Sequence, residues 1–530
     1  MDGLILVVVL GAAILIGGAV AGRLRVAAPL VLLAIGAGLG FVPLLGQVEL
    51  PPELVLLLFL PALLYWESLN TSLREIYNNL RVISLLSVGL VFATAAVIAL
   101  IGHAFGLTWP VAIALGAILA PTDATAVASV AGHLPRRSLT VLRAESLVND
   151  GTALVLYAVA VAAAVSGQPI TLGDTVLRFL ASYGLGALIG IVVGLAVVGG
   201  RRLLRTRLQA NTLSVLTPFL AYLPAELFGV SGVVAVVACG LLVSQLGPRV
   251  ISASTRAQGF GFWQLTTYLL NGALFVLIGL ELHPIVETLG DRWDQTLTLG
   301  LICAVAVVVV RLAWTNTTPY VIRLLDRRPA QRLRRQGFRQ RFPLGWAGFR
   351  GAVSLAAALA LPTHNASGDP LPGRDVVIAV TFAVILFTLV VQGLTMPAIV
   401  RWARLPADPT ELDEELLADQ TATEAALAAL DDTARRLGTP LDIAARIRSD
   451  YSARLAQIHR EEGHPEAAHR DEDPESSRAS ELRLALLPVK RRALFALRDR
   501  RRIDDVILRR ITARLDLEEL RLSDAVDDDA

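Results

Sequence analysis

Long apolar runs separated by short polar stretches follow one another along the chain from residue 3 to about residue 403. A helix that crosses a bilayer needs roughly 20 mostly apolar residues, and most of these runs reach that length. Glycine, proline and arginine divide them into thirteen candidate spans, which begin near residues 3, 26, 51, 82, 108, 141, 174, 211, 229, 259, 296, 343 and 375. The pattern predicts an all-α polytopic membrane protein with about thirteen transmembrane helices.

The pattern changes after Leu405 to a mixture of charged residues, Ala and Leu, with apolar positions at helical spacing. We therefore divide the chain into a transmembrane domain, residues 1–403, and a cytoplasmic helical tail, residues 404–530. A flexible break is predicted between Glu461 and Glu475. The tail is either a solvated stalk or assembly element, or a regulator that binds a ligand or a partner. Three of its segments predict helices: residues 411–437, 440–462 and 476–522.

The composition agrees with a membrane protein, because 54% of the 530 residues are hydrophobic and the mean hydropathy is +0.59. The formal net charge of +2 gives no indication of a nucleic-acid partner. Cys239 and Cys303 lie inside hydrophobic runs, so neither a disulfide framework nor a cysteine metal site is expected. The chain opens with Asp2 rather than a basic segment, so the first apolar run is expected to be a retained helix. Membrane lipids are the expected surroundings, and no cofactor and no enzymatic nucleophile are predicted.

Arginines fall in alternate loops between the candidate spans. Because cytoplasmic loops carry the excess of Lys and Arg, this alternation predicts an N-terminus outside the cell membrane and a C-terminus in the cytoplasm. An odd number of spans likewise places the two termini on opposite sides of the membrane. The single lysine, Lys490, among abundant arginines is typical of a GC-rich bacterial genome. The arginine-bearing loops contain Arg23 and Arg25, Arg74 and Arg81, Arg136 and Arg137, Arg201 to Arg207, Arg249 and Arg256, and the cluster from Arg323 to Arg341.

The sixth span carries four polar residues in one short stretch: Glu145, Ser146, Asn149 and Asp150. On a helix they fall within an arc of roughly 140°, so one face of this span is polar. An ionisable group in hydrocarbon costs roughly 3 kcal/mol, which makes the two carboxylates a functional-site hypothesis by default. A polar helix-packing seam is the alternative, and it would explain the serine and the asparagine alone. The stretch is therefore predicted to bind a cation, a proton, or both.

Two other spans are interrupted in the middle. In the fifth span Pro121 removes a backbone donor, while Thr122 and Asp123 supply oxygens next to the break. In the twelfth span the segment Gly345–Ser354 is similarly irregular and contains Arg350. Two interrupted helices at corresponding places in the two halves indicate an inverted-repeat transporter with a midplane site. Spans four to six and eleven to thirteen, residues 82–165 and 296–403, would form its core.

Arg311 lies deep in the apolar eleventh span and therefore needs an acidic partner. Glu145 is the candidate partner, in a structural salt bridge. Arg350 is a second candidate for Glu145, although its place beside a helix break also suits neutralisation of helix C-terminal dipoles. If Glu145 is committed to a bridge, Asp150 is the carboxylate that remains to titrate.

At these residues the chain resembles the cation/proton antiporter superfamily, in the branch that holds bacterial and archaeal sodium/proton antiporters and animal sodium/proton exchangers. The resemblance extends from residue 1 to about residue 403. The matching segments are Pro121-Thr122-Asp123, Glu145-Ser146, Asn149-Asp150, Arg311 and Phe349-Arg350-Gly351.

The resemblance implies a homodimer in which the core moves past a fixed dimerisation scaffold, residues 3–70 and 211–281, and carries its site across the membrane. By this likeness Asp150 holds the cation and the proton in turn. Ser146, Asp123 and Thr122 would help to coordinate the cation, and Asn149 with the pair of Glu145 and Arg311 would keep the site in shape. Its physiological context would be pH homeostasis.

Cation and proton would compete for the same carboxylate oxygens, which is sufficient for obligatory exchange. Because Asn149 does not titrate and Arg311 stays cationic, one titrating group predicts electroneutral exchange of one monovalent cation for one proton. The expected cation is Na+. Exchange of K+ is the alternative, Li+ stays open, and a cation channel or uniporter and a non-transporting sensor are further hypotheses.

Overall fold

Helices dominate the described part of the chain. In the membrane domain, counted in chain order, they are α1 Asp2–Leu24, α2 Ala28–Leu39, α3 Leu60–Asn70, α4 Leu73–Ser84, α5 Leu90–Ala104, α6 Trp109–Leu119, α7 Arg136–Ser166, α8 Leu172–Arg201, α9 Arg207–Leu227, α10 Gly232–Leu246, α11 Ala253–Leu280, α12 Trp293–Leu325, α13 Phe338–Trp346, α14 Ala352–Leu359, α15 Arg374–Phe387 and α16 Gly393–Ala403. Short π-helical turns precede α3 and join α4 to α5 and α15 to α16. The computed structural model describes residues 2–24, 26–42, 55–123, 126–127, 134–167, 172–204, 206–283, 285, 293–325, 337–405, 409–460 and 477–527.

Eight helices among the described residues are long and apolar enough to cross a membrane, and α2 and α6 are shorter apolar helices. The predicted class, an all-α polytopic membrane protein, is therefore confirmed. The predicted count of thirteen spans stays a prediction, because several shorter helices need neighbours to complete a crossing.

Both predicted breaks are present. Helix α6 ends at Leu119 and the backbone is non-helical at residues 121–123. Residues 124–125 and 128–133, on the far side of this break, lie outside the described residues. In the second break α13 ends at Trp346, and α14 begins only after the irregular residues 347–351. The inverted repeat itself stays a prediction.

The described helices form two packed groups. Helices α3 and α8–α11 pack around one apolar core that includes Tyr65, Tyr222 and Trp263. Helices α5–α7 pack with α12, α14 and α15 around a second core, which the C-terminal half of α11 also enters between Leu274 and Leu280. Helix α2 lies on α11, where Gly36 approaches so closely that a Cβ atom would come within 2.1 Å of the Val276 carbonyl oxygen. Cys239 and Cys303 are buried free thiols. The predicted division into a moving core and a fixed scaffold stays a prediction.

The described part of the tail contains four helices: α17 Pro409–Leu437, α18 Leu441–Arg460, α19 Ser477–Asp499 and α20 Asp505–Asp527. Two agree with the predicted segments, but the segment predicted over 476–522 is divided in two. Arg501 adopts a left-handed conformation with φ 58°, and the Asp504 carboxylate caps the next helix by accepting from the Val506 amide at 2.9 Å. The apolar positions keep helical spacing across this turn, so the pattern alone does not reveal it. Residues 461–476 lie outside the described residues.

Candidate ion site

Helix α7 presents its predicted polar face to the interior. Glu145, Ser146, Asn149 and Asp150 are between 0% and 6% exposed. Burial of four neighbouring polar side chains requires partners, since an unsatisfied buried polar group costs about 1–3 kcal/mol. The partners come from the two broken segments and from α12.

Arg311 on α12 forms the predicted ion pair with Glu145. Its Nη1 donates to Glu145 Oε1 and its Nη2 donates to Oε2 at 3.0 Å. The two side chains are 1% and 0% exposed, so neither charge has water as an alternative partner. This bidentate arrangement satisfies both carboxylate oxygens.

Thr122 connects the broken fifth span to α7. Its hydroxyl donates to Glu145 Oε1 at 3.4 Å and accepts from Asn149 Nδ2 at 3.0 Å. Its backbone carbonyl accepts from the Ser146 hydroxyl at 2.9 Å. Thr122 is therefore held by three residues of the polar face, and Asn149 reaches the site through it.

The two broken segments also bond to each other. The Asp123 amide donates to the Phe349 carbonyl at 2.9 Å, which satisfies backbone groups that the interrupted helices leave without partners. Gly351 stands directly against Asp123, where a Cβ atom would come within 2.2 Å of Oδ2. Only glycine leaves room for the aspartate at this crossing.

Of the two roles considered for Arg350, its contacts agree with neutralisation of a helix C-terminus rather than with pairing to Glu145. It is 1% exposed, and its Nε donates to the Leu119 carbonyl, at the C-terminal end of α6, at 2.9 Å. A second nitrogen donates to the Gly348 carbonyl. The Arg350 guanidinium thus lies where the carbonyl groups of an interrupted helix concentrate negative charge.

A cavity of about 60 Å³ opens beside these segments, which is room for more than one water molecule. Asp150, Asp123, Ser146 and Thr122, four of the predicted cation ligands, line it together. The remaining wall is formed by Pro121, Gly351, Val353, Ser354, Leu60, Leu63, Leu64, Glu67, Asn271 and Leu274.

Glu67 and Asn271 are site residues that the sequence analysis missed. They come from α3 and α11. Glu67 and Asp123 are the acidic residues that line the described cavity together with Asp150. Within the described part of the chain, Glu67 Oε1 is buried without a hydrogen-bond partner. Glu67 could have been selected from the sequence, since it is a carboxylate directly after a long apolar run. Asn271 could not, because a single asparagine within an apolar helix does not indicate a site.

The oxygen donors around the cavity are carboxylates and hydroxyls, which suit hard cations rather than soft metals. Among the described residues, no three acidic, histidine or cysteine side chains form a cluster that could hold a metal ion.

Comparison with known proteins agrees with this geometry. The family model described as "sodium/hydrogen exchanger, transmembrane" matches residues 10–402. An uncharacterized Na+/H+ exchanger of Mycobacterium bovis is 43% identical over 529 residues, 99% of this chain and 97% of that protein. The Na+/H+ antiporter ApNhaP of Aphanothece halophytica is 31% identical over 407 residues, 76% of this chain and 74% of that protein.

Among solved structures, the fold is similar to that of the sodium proton antiporter MjNhaP1 from Methanocaldococcus jannaschii at pH 8, with a TM-score of 0.60. The match covers 76% of this chain and 100% of that chain at 17% identity. At this identity the likeness concerns the fold alone.

Proposed function

This chain belongs to the sodium/hydrogen exchanger family of cation/proton antiporters, and we propose that it exchanges Na+ for H+ with Asp150 holding each in turn. It is a multi-pass membrane protein with bacterial relatives. The observation that carries the proposal is the cavity that the Asp150 and Asp123 carboxylates line together with Ser146 and Thr122. Asp150 binds either a proton or a cation at its oxygens, and the competition couples the two fluxes.

Exchange in reconstituted vesicles tests the proposal. Internal pH is followed while Na+, K+ or Li+ is added outside, with protein-free vesicles as the control. We expect Na+ to move protons through the protein. Proton movement driven by K+ alone would indicate a K+/H+ antiporter, and cation flux without any change in pH would indicate a channel or uniporter.

Both packed groups of helices contribute residues to the cavity lining. Asp123 and Asp150 belong to the group that contains α6 and α7, whereas Glu67 and Asn271 belong to α3 and α11. A site lined by residues of both groups suits alternating access by sliding of one group along the other. We therefore propose an elevator-type movement of the α7 group against a scaffold that also forms a homodimer.

We propose electroneutral exchange of one Na+ for one H+, with Asp150 as the group that exchanges its proton. Asn149 has no proton to exchange, and Glu145 is engaged by Arg311. The charge on the moving site is then the same whether it carries a proton or a monovalent cation.

We predict that a Na+ gradient across vesicles with no other conductance drives pH change without sustained current. A single net charge per cycle would couple transport to the membrane potential by about 2.3 kcal/mol per 100 mV. Current is recorded from the same vesicle preparation in which a dye reports exchange. A current whose direction follows the Na+ gradient would exclude the one-to-one ratio.

Replacement of Glu67 by Gln is expected to weaken cation binding while exchange persists. The variant keeps the shape of the side chain but removes a negative charge from the cavity wall. Loss of one charge-assisted contact costs about 1.5 kcal/mol. This cost corresponds to about a tenfold rise in the Na+ concentration for half-maximal exchange. The matched control is Glu226→Gln on α9, because its carboxylate accepts from the Gly232 amide at 3.2 Å and an amide oxygen keeps that contact. Equal Na+ dependence of exchange in the Glu67 and Glu226 variants would show that Glu67 does not take part in cation binding.

A further inference from the structure

Helix α8 is fastened to α10 along one face. A Cβ atom on Gly186 would come within 2.8 Å of the Ser231 carbonyl oxygen, and one on Gly190, a turn later, would overlap the α10 backbone. One turn before Gly186, the Ser182 hydroxyl oxygen accepts from the Ser231 amide at 2.9 Å. Small residues at this spacing let two helix backbones touch and hold them in one register. This stretch of α8 is therefore kept in place by α10.

Tyr183, within the fastened stretch, reaches the helix that carries Asp150. Its hydroxyl donates to the Val148 carbonyl on α7 at 2.8 Å and lies 2.7 Å from the Thr152 hydroxyl oxygen. Its ring is stacked on the ring of Phe179, with the centroids 4.6 Å apart, which restricts the direction of the hydroxyl. A side chain that α10 holds in place thus bonds to the turn of α7 that contains Asp150.

Gly151 makes room for the Tyr183 hydroxyl. A Cβ atom on Gly151 would lie 3.0 Å from the Tyr183 oxygen and 3.0 Å from Cγ2 of Val234 on α10, which is closer than a methyl group normally packs. The gap between α7 and its two neighbours therefore depends on glycine at this position. Displacement of α7 by one helical turn, about 5 Å, would bring a larger side chain against Tyr183. The fit thus belongs to the present register of α7.

Withdrawal of Tyr183 leaves the α7 side of the contact satisfied. The Thr152 hydroxyl also donates to the Val148 carbonyl at 3.0 Å, within its own helix. Thr152 is fully buried, so this internal bond is the one that remains when the tyrosine leaves. Only the Tyr183 hydroxyl then loses its partners, and the cost is that of a contact that can be made and broken in every cycle.

We propose that the Tyr183 hydroxyl is a latch between the two helical groups. It holds α7 in the position seen here, and its release from Val148 and Thr152 is a step of the movement. Because α10 keeps α8 in place, Tyr183 does not follow α7 when the α7 group slides. Tyr183 is not among the residues that line the described cavity, so it is a positioning residue that acts on Asp150 through the α7 backbone. The latch rests on the proposed elevator-type movement, which is the process that it restrains.

The test measures the position of the α7 group directly. Spin labels are attached to the full chain at Ala104→Cys, at the end of α5, and at Phe228→Cys, directly after α9, because both residues are exposed. Cys239 and Cys303 are buried, so labelling is directed to the introduced thiols. Pulsed electron paramagnetic resonance in vesicles then gives the populations of the two separations as Na+ and pH are varied.

Tyr183→Phe is expected to lower the population at the separation of this structure, relative to the other one, by about fivefold, or about 1 kcal/mol. Gly151→Ala should shift the populations in the same direction. The double variant should shift them by less than the sum, because loss of the tyrosine oxygen makes room for the methyl group. The matched control is Tyr222→Phe, a buried tyrosine whose hydroxyl bonds to Glu226 of its own helix, and it should leave the populations unchanged.

If the unchanged protein shows only the separation of this structure, departure from that position limits exchange. The loss of the latch then appears as about fivefold faster Na+-driven proton movement at saturating Na+. Separations and rates in the Tyr183 variant that both match the Tyr222 variant overturn the latch. A shift toward the separation of this structure overturns it too, as does slower exchange with unchanged separations, because loss of a restraint does not slow a movement. Absence of exchange in the unchanged protein would instead contradict the proposed function.

Discussion

Asp150→Asn is expected to reduce Na+-driven proton movement to the level of protein-free vesicles. The substitution keeps the size of the side chain and an oxygen toward the cavity, but the amide neither releases a proton nor supplies a negative charge for the cation. Both halves of the exchange are therefore lost together. The other cavity carboxylates do not replace it, because Asp123 is fixed by the crossing of the broken segments at Gly351 and Glu67 belongs to the opposite helical group.

The measurement is internal pH in reconstituted vesicles, with thermal unfolding of the purified variant as a check on folding. A stability equal to that of the unchanged protein, or higher, is expected, since a neutral amide is less costly to bury than a carboxylate. Asp294→Asn, the same substitution at an exposed residue near the beginning of α12, is the matched control and should retain full exchange. Retained pH-coupled exchange in the Asp150 variant would show that a different residue binds the proton and the cation.

Glu145→Gln is expected to have its largest effect on stability rather than on chemistry. It leaves the buried Arg311 guanidinium with its charge and without its carboxylate, and breaking such a pair costs about 3–5 kcal/mol. Thr122 loses its charged acceptor in the same change, so the broken segment that carries Asp123 should loosen as well. The double variant Glu145→Gln with Arg311→Met removes both charges and should regain part of the loss, because two neutral side chains leave no stranded charge.

The free energy of unfolding in denaturant, measured for the single and double variants in one detergent, separates these outcomes. The matched control is Asp419→Asn, whose pair with Arg454 is 31% and 35% exposed and should contribute less than about 1 kcal/mol. A loss in Glu145→Gln no larger than in the control would show that the buried pair is not a structural element. A double variant less stable than either single variant would show that the ion pair itself, rather than the absence of stranded charge, stabilises the fold.

The sequence predicted the buried charges well because their cost is a local property. A carboxylate or guanidinium inside an apolar run demands a partner wherever the helix lies, and Glu145, Arg311 and Asp150 could be selected on that ground alone. The breaks at Pro121 and Gly351 were also predictable, since proline and glycine act on the backbone at their own positions.

The features that could not be predicted from the sequence depend on how helices pack against one another. Which carbonyl the Arg350 guanidinium reaches is decided by the approach of the twelfth span to Leu119, and nothing near Arg350 in the sequence indicates it. Glu67 lies at the edge of an apolar run, where a carboxylate usually faces water, and it becomes a site residue only because α3 passes beside α7. The turn at Arg501 is hidden for a related reason, because both tail helices continue the same apolar periodicity.

In the proposed elevator-type movement, the shared lining of the cavity would link cation affinity to the position of the core. Asp150 and Asp123 line the cavity together with Glu67 and Asn271 of the other helical group, so the set of oxygens around a bound cation would depend on where one group stands relative to the other. By reciprocity, whatever favours one position of the core would change the affinity for the cation by the same factor by which the cation changes the balance between positions. Equilibrium cation binding would then measure the position of the core without any transport.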